Sequence, residues 1–195
     1  MDHEYTTAHA VAEQLVRQME RSCEKIQIAG SLRRHSKIVH DIEIVALPIM
    51  QDLPDLFGET QAVRSRLDDA LDELIGDHVL QSFPGAKNGS RQKQFAVQPL
   101  GIKLDLFIVL PPAQWGAILA IRTGPAHYSH WLVTRKNLGG ALPNHLREKD
   151  GGLWPLYGGD MIETPTEESF FAMLGIDPPP EPEARQPDWQ NRRSL

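Results

Sequence analysis

Cysteine is nearly absent: Cys23 stands alone in a chain of 195 residues. One thiol cannot close an internal disulfide, and by itself it cannot build a cysteine-based zinc site. Long apolar runs are missing as well. None approaches the roughly 20 residues that a membrane helix needs, which excludes a helical membrane-spanning protein. The opening stretch MDHEYTTAHA is acidic and polar, without the basic-then-apolar layout of a secretory signal. What is present is a globular balance, 41% hydrophobic and 24% charged, in a length that suits one domain or two small lobes. These features lead to the expectation of a soluble cytoplasmic protein, monomeric by default and with no membrane partner.

Charge is unevenly placed. Residues 52–77 carry eight acids against Arg64 and Arg66, residues 78–149 carry nine Lys/Arg against Asp105 and Glu148, and residues 159–188 return to a strongly acidic balance. A basic middle in a chain of net charge -6 suits a polyanion held on one face, such as nucleic acid or a nucleotide. Solvated faces that differ in sign explain the same pattern equally well.

Apolar periodicity predicts an amphipathic helix over Thr6–Arg21, carrying Ala8, Val11, Ala12, Leu15, Val16 and Met19 on one stripe. Alternation predicts strands at Lys25–Ala29 and His40–Leu47. Pro48–Phe57 reads as a loop, and Gln61–Leu74 as a helix with Val63, Leu67, Leu71 and Leu74 on its apolar face. Three strands are expected near 78–83, near 91–98 and at Ile102–Leu110. Helices follow at Ala113–Arg122, Ala126–Leu138 and Thr166–Leu174, with Thr123, Gly124 and Pro125 as punctuation between the first two. Pro178 onward reads as a disordered Pro-rich tail. The order implies an α+β (mixed α/β) fold: an α/β lobe over residues 1–110, a smaller α+β lobe over 111–176 and the tail over 177–195.

Three features carry chemistry. A strand runs into Gly30 and Ser31, then Leu32, Arg33 and Arg34. A helix beginning there offers free backbone N–H groups and the Ser31 hydroxyl to an anion, with guanidinium groups beside them. A Ser after Gly is, however, more often a simple helix cap. Next, Asp41 and Glu43 alternate with Ile42 and Ile44, so both carboxylates share one face of a strand. Their mutual repulsion is relieved by a divalent cation, and hard oxygen donors suit Mg²⁺ or Mn²⁺. Last, Asp105 interrupts an apolar strand, where an unpaired carboxylate is expensive. If that strand lies beside the Asp41 and Glu43 strand, the three acids converge on one site fit for two ions and a triphosphate.

The series Gly30-Ser31-x-Arg33-Arg34, Asp41-x-Glu43, Leu104-Asp105-Leu106 and Thr123-Gly124, closed by the helix at Pro165–Gly175, resembles the nucleotidyltransferase superfamily. Within it the series most resembles the family X DNA polymerases, over roughly residues 8–175. The resemblance implies a catalytic palm in the first lobe and, in the second, a lobe that closes over the nascent base pair. It implies a DNA-directed DNA polymerase that uses two Mg²⁺ ions, with Mn²⁺ able to substitute, and fills short gaps in DNA repair. Its partners would be gapped or primer-template DNA and a nucleoside triphosphate. Asp41 and Glu43 would ligate both metals and Asp105 the catalytic one. Gly30, Ser31, Arg34 and the backbone at His40 would hold the outer phosphates, and Thr123 and Gly124 would line the sugar. Lys87, Arg91, Lys93, Lys103, Arg135, Lys136, Arg147 and Lys149 would face the DNA backbone.

Several positions depart from the family pattern. Glu43 stands where the family usually has Asp, and His40 where it usually has Gly. Ile121 and Arg122 precede Thr123 where the family often has an aromatic pair that screens ribose. By this resemblance the sequence is expected to correspond to a minimal form, without the family's amino-terminal lyase and helix-hairpin-helix modules. The family often holds a cis bond after this Thr-Gly, and a cis Gly124–Pro125 bond is the corresponding expectation, because proline lowers the cis penalty to about 0.5–1 kcal/mol. Two other readings stay open: transfer of a nucleotide to a small molecule, a protein or an RNA end, and a non-catalytic nucleic-acid-binding protein on the same fold. His127 and His130 lack further ligands for a zinc site, and Cys23, Tyr128 and Trp131 read as packing residues.

Overall fold

The computed structural model describes residues 2–54, 60–177 and 179–187. The fold is mixed α+β. In chain order the elements are β1 (His3–Glu4), α1 (Tyr5–Met19), β2 (Cys23–Ile28), α2 (Gly30–Arg33), β3 (Ile38–Val39), β4 (Asp41–Pro48), β5 (Met50–Pro54), β6 (Thr60–Ser65) and α3 (Arg66–Gly76). There follow β7 (Leu80–Gln81), β8 (Gln92–Val97), β9 (Ile102–Ile108), α4 (Trp115–Thr123), α5 (Ala126–Val133), β10 (Leu146–Lys149), β11 (Gly152–Pro155) and α6 (Glu167–Leu174). No helix among the described residues is long and apolar enough to cross a membrane.

The chain divides into two units, Met1–Ile28 with Lys37–Ile108, and Ala29–Ser36 with Val109–Leu195. The last crossing falls after Ile108, where the sequence reading divided the chain at residue 110. Residues 29–36 group with the second unit, a segment the sequence reading assigned to the first lobe. Side chains that reach across long stretches of chain, described below, account for the difference.

The first unit is built on a five-stranded sheet of order β2-β4-β9-β8-β7. β4 and β9 run parallel, while β2, β8 and β7 join antiparallel. Ile42 and Ile44 of β4 and Leu104 and Leu106 of β9 are wholly buried. α1 lays Ala8, Ala12, Leu15 and Met19 inward at helical spacing and packs on β2, β4 and α3. Cys23 is buried in β2, which pushes its thiol pKa up to about 11.

One region differs from its expected form. Residues 50–54 and 60–65 pair as an antiparallel hairpin, and α3 begins only at Arg66. Val63 therefore sits exposed in a strand, while Leu67, Ala70, Leu71 and Leu74 form the buried face of the helix. The spacing of Val63 to Leu67 fits a helix by coincidence, and strand pairing with Asp52 wins.

The second unit packs α4, α5 and α6 with the β10–β11 hairpin around Ala117, Ala120, Tyr128, Leu132, Leu146, Leu153, Phe170 and Phe171. Tyr128 is fully buried and its ring lies 5.5 Å from that of Trp131. α5 stops at Val133, five residues short of its expected end, where the Thr134 hydroxyl donates to the His130 carbonyl at 2.7 Å. α6 opens with a capping box between Thr166 and Ser169 and closes on Gly175 at φ 76°.

The Pro-rich tail also differs from expectation where it is described. Residues 182–184 form a 3₁₀ turn, and Arg185 is only 2% exposed. Its guanidinium donates to Glu167 Oε1 at 2.7 Å and to the Pro180 carbonyl, and it lies 5.1 Å from the centre of the Phe171 ring. Composition argued for disorder, but one buried ion pair with a ring beneath it seats the segment. Residues 178 and 188–195 of the same expectation lie outside the described residues. Finally, Gly124–Pro125 is trans. The cis bonds among the described residues are Gln98–Pro99 and Pro111–Pro112. Nothing offsets the ordinary trans preference at Gly124, and the Pro125 carbonyl serves instead as the first acceptor of α5, for Tyr128 and Ser129.

Candidate functional site

The acids of the first unit meet through strand register. β4 and β9 are adjacent and parallel, with Asp41 opposite Lys103 and Glu43 opposite Asp105. On the other side Gln94 of β8 lies opposite Asp105. One row across the sheet thus reads Glu43, Asp105, Gln94, and the next reads Asp41, Lys103, Ala96. Because side chains alternate along each strand, Asp41, Glu43 and Asp105 share a face. The strand adjacency on which the sequence reading made convergence conditional is therefore present.

Asp105 is 5% exposed on the central strand, and its oxygens are provided for. Oδ1 accepts from Gln94 Nε2 at 2.6 Å and from Gln92 Nε2 at 3.1 Å; Oδ2 accepts from Lys103 Nζ at 2.5 Å. The same ammonium stands 3.9 Å from Asp41 Oδ2. Burial pushes the Asp105 pKa up, but the Lys103 and Gln94 hydrogen bonds, the Lys103 charge and the Gln92 amide hold it below the usual value. Asp41 moves the other way: burial and then the Asp105 charge raise its pKa, with Lys103 and His40 opposing. The two carboxylates repel, and Lys103 is the cation placed against both.

The all-oxygen donor set of Asp41, Glu43 and Asp105 fits a hard divalent ion. Among the described residues, however, no three His, Cys, Asp or Glu side chains are grouped closely enough to close on one ion. The donor chemistry suits Mg²⁺, while the arrangement is one in which lysine supplies the countercharge.

In the second unit, the segment expected to bind phosphates is organised around a different acid. Gly30 opens α2 at φ 59°, in the left-handed region that glycine tolerates. Arg33 grips Glu167 with two bonds, Nη1 to Oε1 at 2.9 Å and Nη2 to Oε2 at 2.6 Å, and Nη1 also donates to Thr123 Oγ1 at 2.7 Å. Arg34 Nη1 donates to the Thr123 carbonyl at 2.5 Å. Thr123 is fully buried, so its hydroxyl serves Arg33 here. A side-chain carbon on Gly124 would come within 2.4 Å of the Tyr128 ring, so this position needs glycine. The Ser31 hydroxyl oxygen is buried with no hydrogen-bond partner, an acceptor and donor left over inside the same segment. Glu167 is pushed up by burial yet held below its usual pKa by hydrogen bonds from Arg33 and Arg185 and by their charges.

The remaining expected site residues scatter. His40 is exposed, in unit one, and its Nδ1 lies 2.9 Å from Asp2. Lys87 bonds Gln92 Oε1 at 3.0 Å, and Lys93 bonds Asn88 Oδ1 at 3.1 Å and pairs with Asp68 at 3.4 Å. Arg91 is exposed in the same unit; Arg135 and Lys136 follow α5 in the other. Lys103, also expected on the DNA backbone, pairs with Asp105. Sequence reasoning missed four partners of consequence. Lys103 was visible in principle, two residues before Asp105 and so on its face. Gln92 and Gln94 needed the β8–β9 register, and Glu167 gave no local signal at all.

The chain matches no family model and no curated protein.

Proposed function

We propose that the protein is a metal-dependent nucleotidyltransferase of the family X DNA polymerase type, adding one nucleotide from a dNTP to a primer 3′-hydroxyl in short gaps. The observation that carries this reading is the parallel pairing of β4 with β9, which sets Glu43 opposite Asp105 and Asp41 on the same face. Asp41 and Glu43 would hold both ions and Asp105 the one beside the primer. An ion held by these carboxylates would supply a lowered pKa for the attacking hydroxyl and countercharge for the triphosphate. In the reaction, the 3′-hydroxyl would pass its proton to water as its oxygen bonds the α-phosphorus, and the bond from that phosphorus to the departing pyrophosphate would break. Gln92 and Gln94 fix Asp105 Oδ1, so Oδ2 is the oxygen left to change partners. The unpartnered Ser31 hydroxyl favours an anionic ligand in the second unit, in line with the phosphate role expected for Gly30 and Ser31.

Primer extension on a one-nucleotide gap, with Mg²⁺ and each dNTP or rNTP supplied singly, tests the reading. Incorporation of the templated nucleotide alone is expected, lost in Asp41→Ala and Asp105→Ala. Use of rNTPs as well as dNTPs would show that Ile121 and Arg122 do not screen the sugar. No incorporation by a protein that still binds Mn²⁺ and nucleotide would transfer the proposal to another acceptor. Absence of both binding and incorporation would favour the non-catalytic reading.

A further inference from the structure

We infer that Lys103 is an internal countercharge that occupies the place of a divalent ion and must leave for that ion to bind. The inference rests on the metal reading above but concerns a residue to which that reading gives no part in the chemistry. The argument starts from Asp105. Its Oδ1 is engaged twice, by amides from the neighbouring strand whose backbone is fixed in the ladder. Its Oδ2 accepts from the Lys103 ammonium at 2.5 Å. An ion ligated by Asp105 therefore takes Oδ2, and it takes it from Lys103.

The same ammonium is 3.9 Å from Asp41. It thus stands between the two carboxylates that would share an ion, relieving the repulsion that an ion would otherwise relieve. Two positive groups cannot both occupy that position, so metal binding and the Lys103 contacts exclude one another. The exchange is mechanically easy. The Lys103 side chain is 40% exposed on a flexible four-carbon stem, and can carry its charge out to solvent while the backbone stays in the sheet. The arrangement keeps a buried carboxylate satisfied before any ion arrives and charges each ion the loss of an existing pair.

The test uses the full chain and Mn²⁺ as the probe, read by electron paramagnetic resonance and by melting temperature in EDTA and in Mn²⁺. Lys103→Met keeps the stem and removes the charge, and Lys103→Gln leaves an amide to serve Oδ2. Both are expected to bind Mn²⁺ roughly tenfold more tightly than the parent, as removal of an adjacent like charge requires. Both are also expected to melt lower in EDTA and to gain more from Mn²⁺. Lys103→Arg should bind as the parent does. Equal or weaker Mn²⁺ binding by Lys103→Met and Lys103→Gln would overturn the inference. So would unfolding of both variants with and without Mn²⁺, which would make Lys103 a purely structural residue. The underlying metal reading is separated by Asp105→Asn. If Mn²⁺ binds the parent and is lost in Asp105→Asn, but neither Lys103 variant tightens it, only the Lys103 inference falls. If Mn²⁺ binds none of the proteins, both fall.

Discussion

Glu167 is the residue on which the second unit most depends. It is 8% exposed and meets two arginines, Arg33 and Arg185, of which the second is itself buried. Removing the acid leaves two cations with no countercharge, a situation that costs about 3–5 kcal/mol for a buried pair. Glu167→Gln is therefore expected to lower unfolding free energy by about that amount at pH 7, measured in urea. The pH dependence follows from the direction of its shift. The folded pKa lies below the unfolded value, so the stabilisation is full above the unfolded value and is lost as pH falls through the folded one. The gap between parent and Glu167→Gln should stay constant from pH 7 to about 5 and shrink in more acid solution. A gap that widened on acidification would contradict the ion-pair account. None of this was legible in the sequence: 134 residues separate Glu167 from Arg33. The carboxylates of the sheet were legible, because alternation alone assigns Asp41, Glu43 and Asp105 to strand faces.

Among elements, close approach of α4 and α6 sets a test of its own. The Gly116 N–H donates to the Thr164 carbonyl at 2.9 Å, and a side-chain carbon there would lie 1.9 Å from the Thr166 carbonyl oxygen. Only backbone stands in the way, so no rotamer change relieves the clash. Gly116→Ala should destabilise by about 1–3 kcal/mol, seen as a fall of several degrees in melting temperature. An unchanged melting temperature would mean that α4 and α6 are farther apart. Sequence patterns served elements unequally. β4 and β9 were read within a residue or two of their ends because apolar alternation is strong in both. The β5–β6 hairpin was not, since Pro48 and Pro54 suggest a loop and Val63 falls by chance on the helical stripe of α3. Composition misjudged residues 179–187 for a related reason, as prolines signal the lack of a regular element but say nothing of an anchor such as Arg185.

At the scale of the molecule, the chain passes between its two units after Ile28, after Ser36 and after Ile108. A cut at the last of these does not separate the units, because residues 29–36 stay with the first fragment. Residues 109–195 alone are expected to fold less cooperatively than the same fragment carrying residues 29–36 through a flexible linker. Circular dichroism during heating would show a broad, low transition in the first and a sharper, higher one in the second. Equal transitions would mean that Arg33 and Arg34 contribute nothing to the unit that Glu167 and Thr123 belong to.

That eight-residue segment also governs how such a protein can be recombined. A chimera made by a single crossover near residue 108 would join one parent's Glu167 to another parent's Arg33, and any mismatch would leave a buried charge alone. Exchange of a whole unit requires a second graft, of residues 29–36, inserted between two strands of the unit that is kept. Inheritance of the two halves is thereby coupled, and a substitution at Glu167 should be tolerated best in lineages that have already changed Arg33.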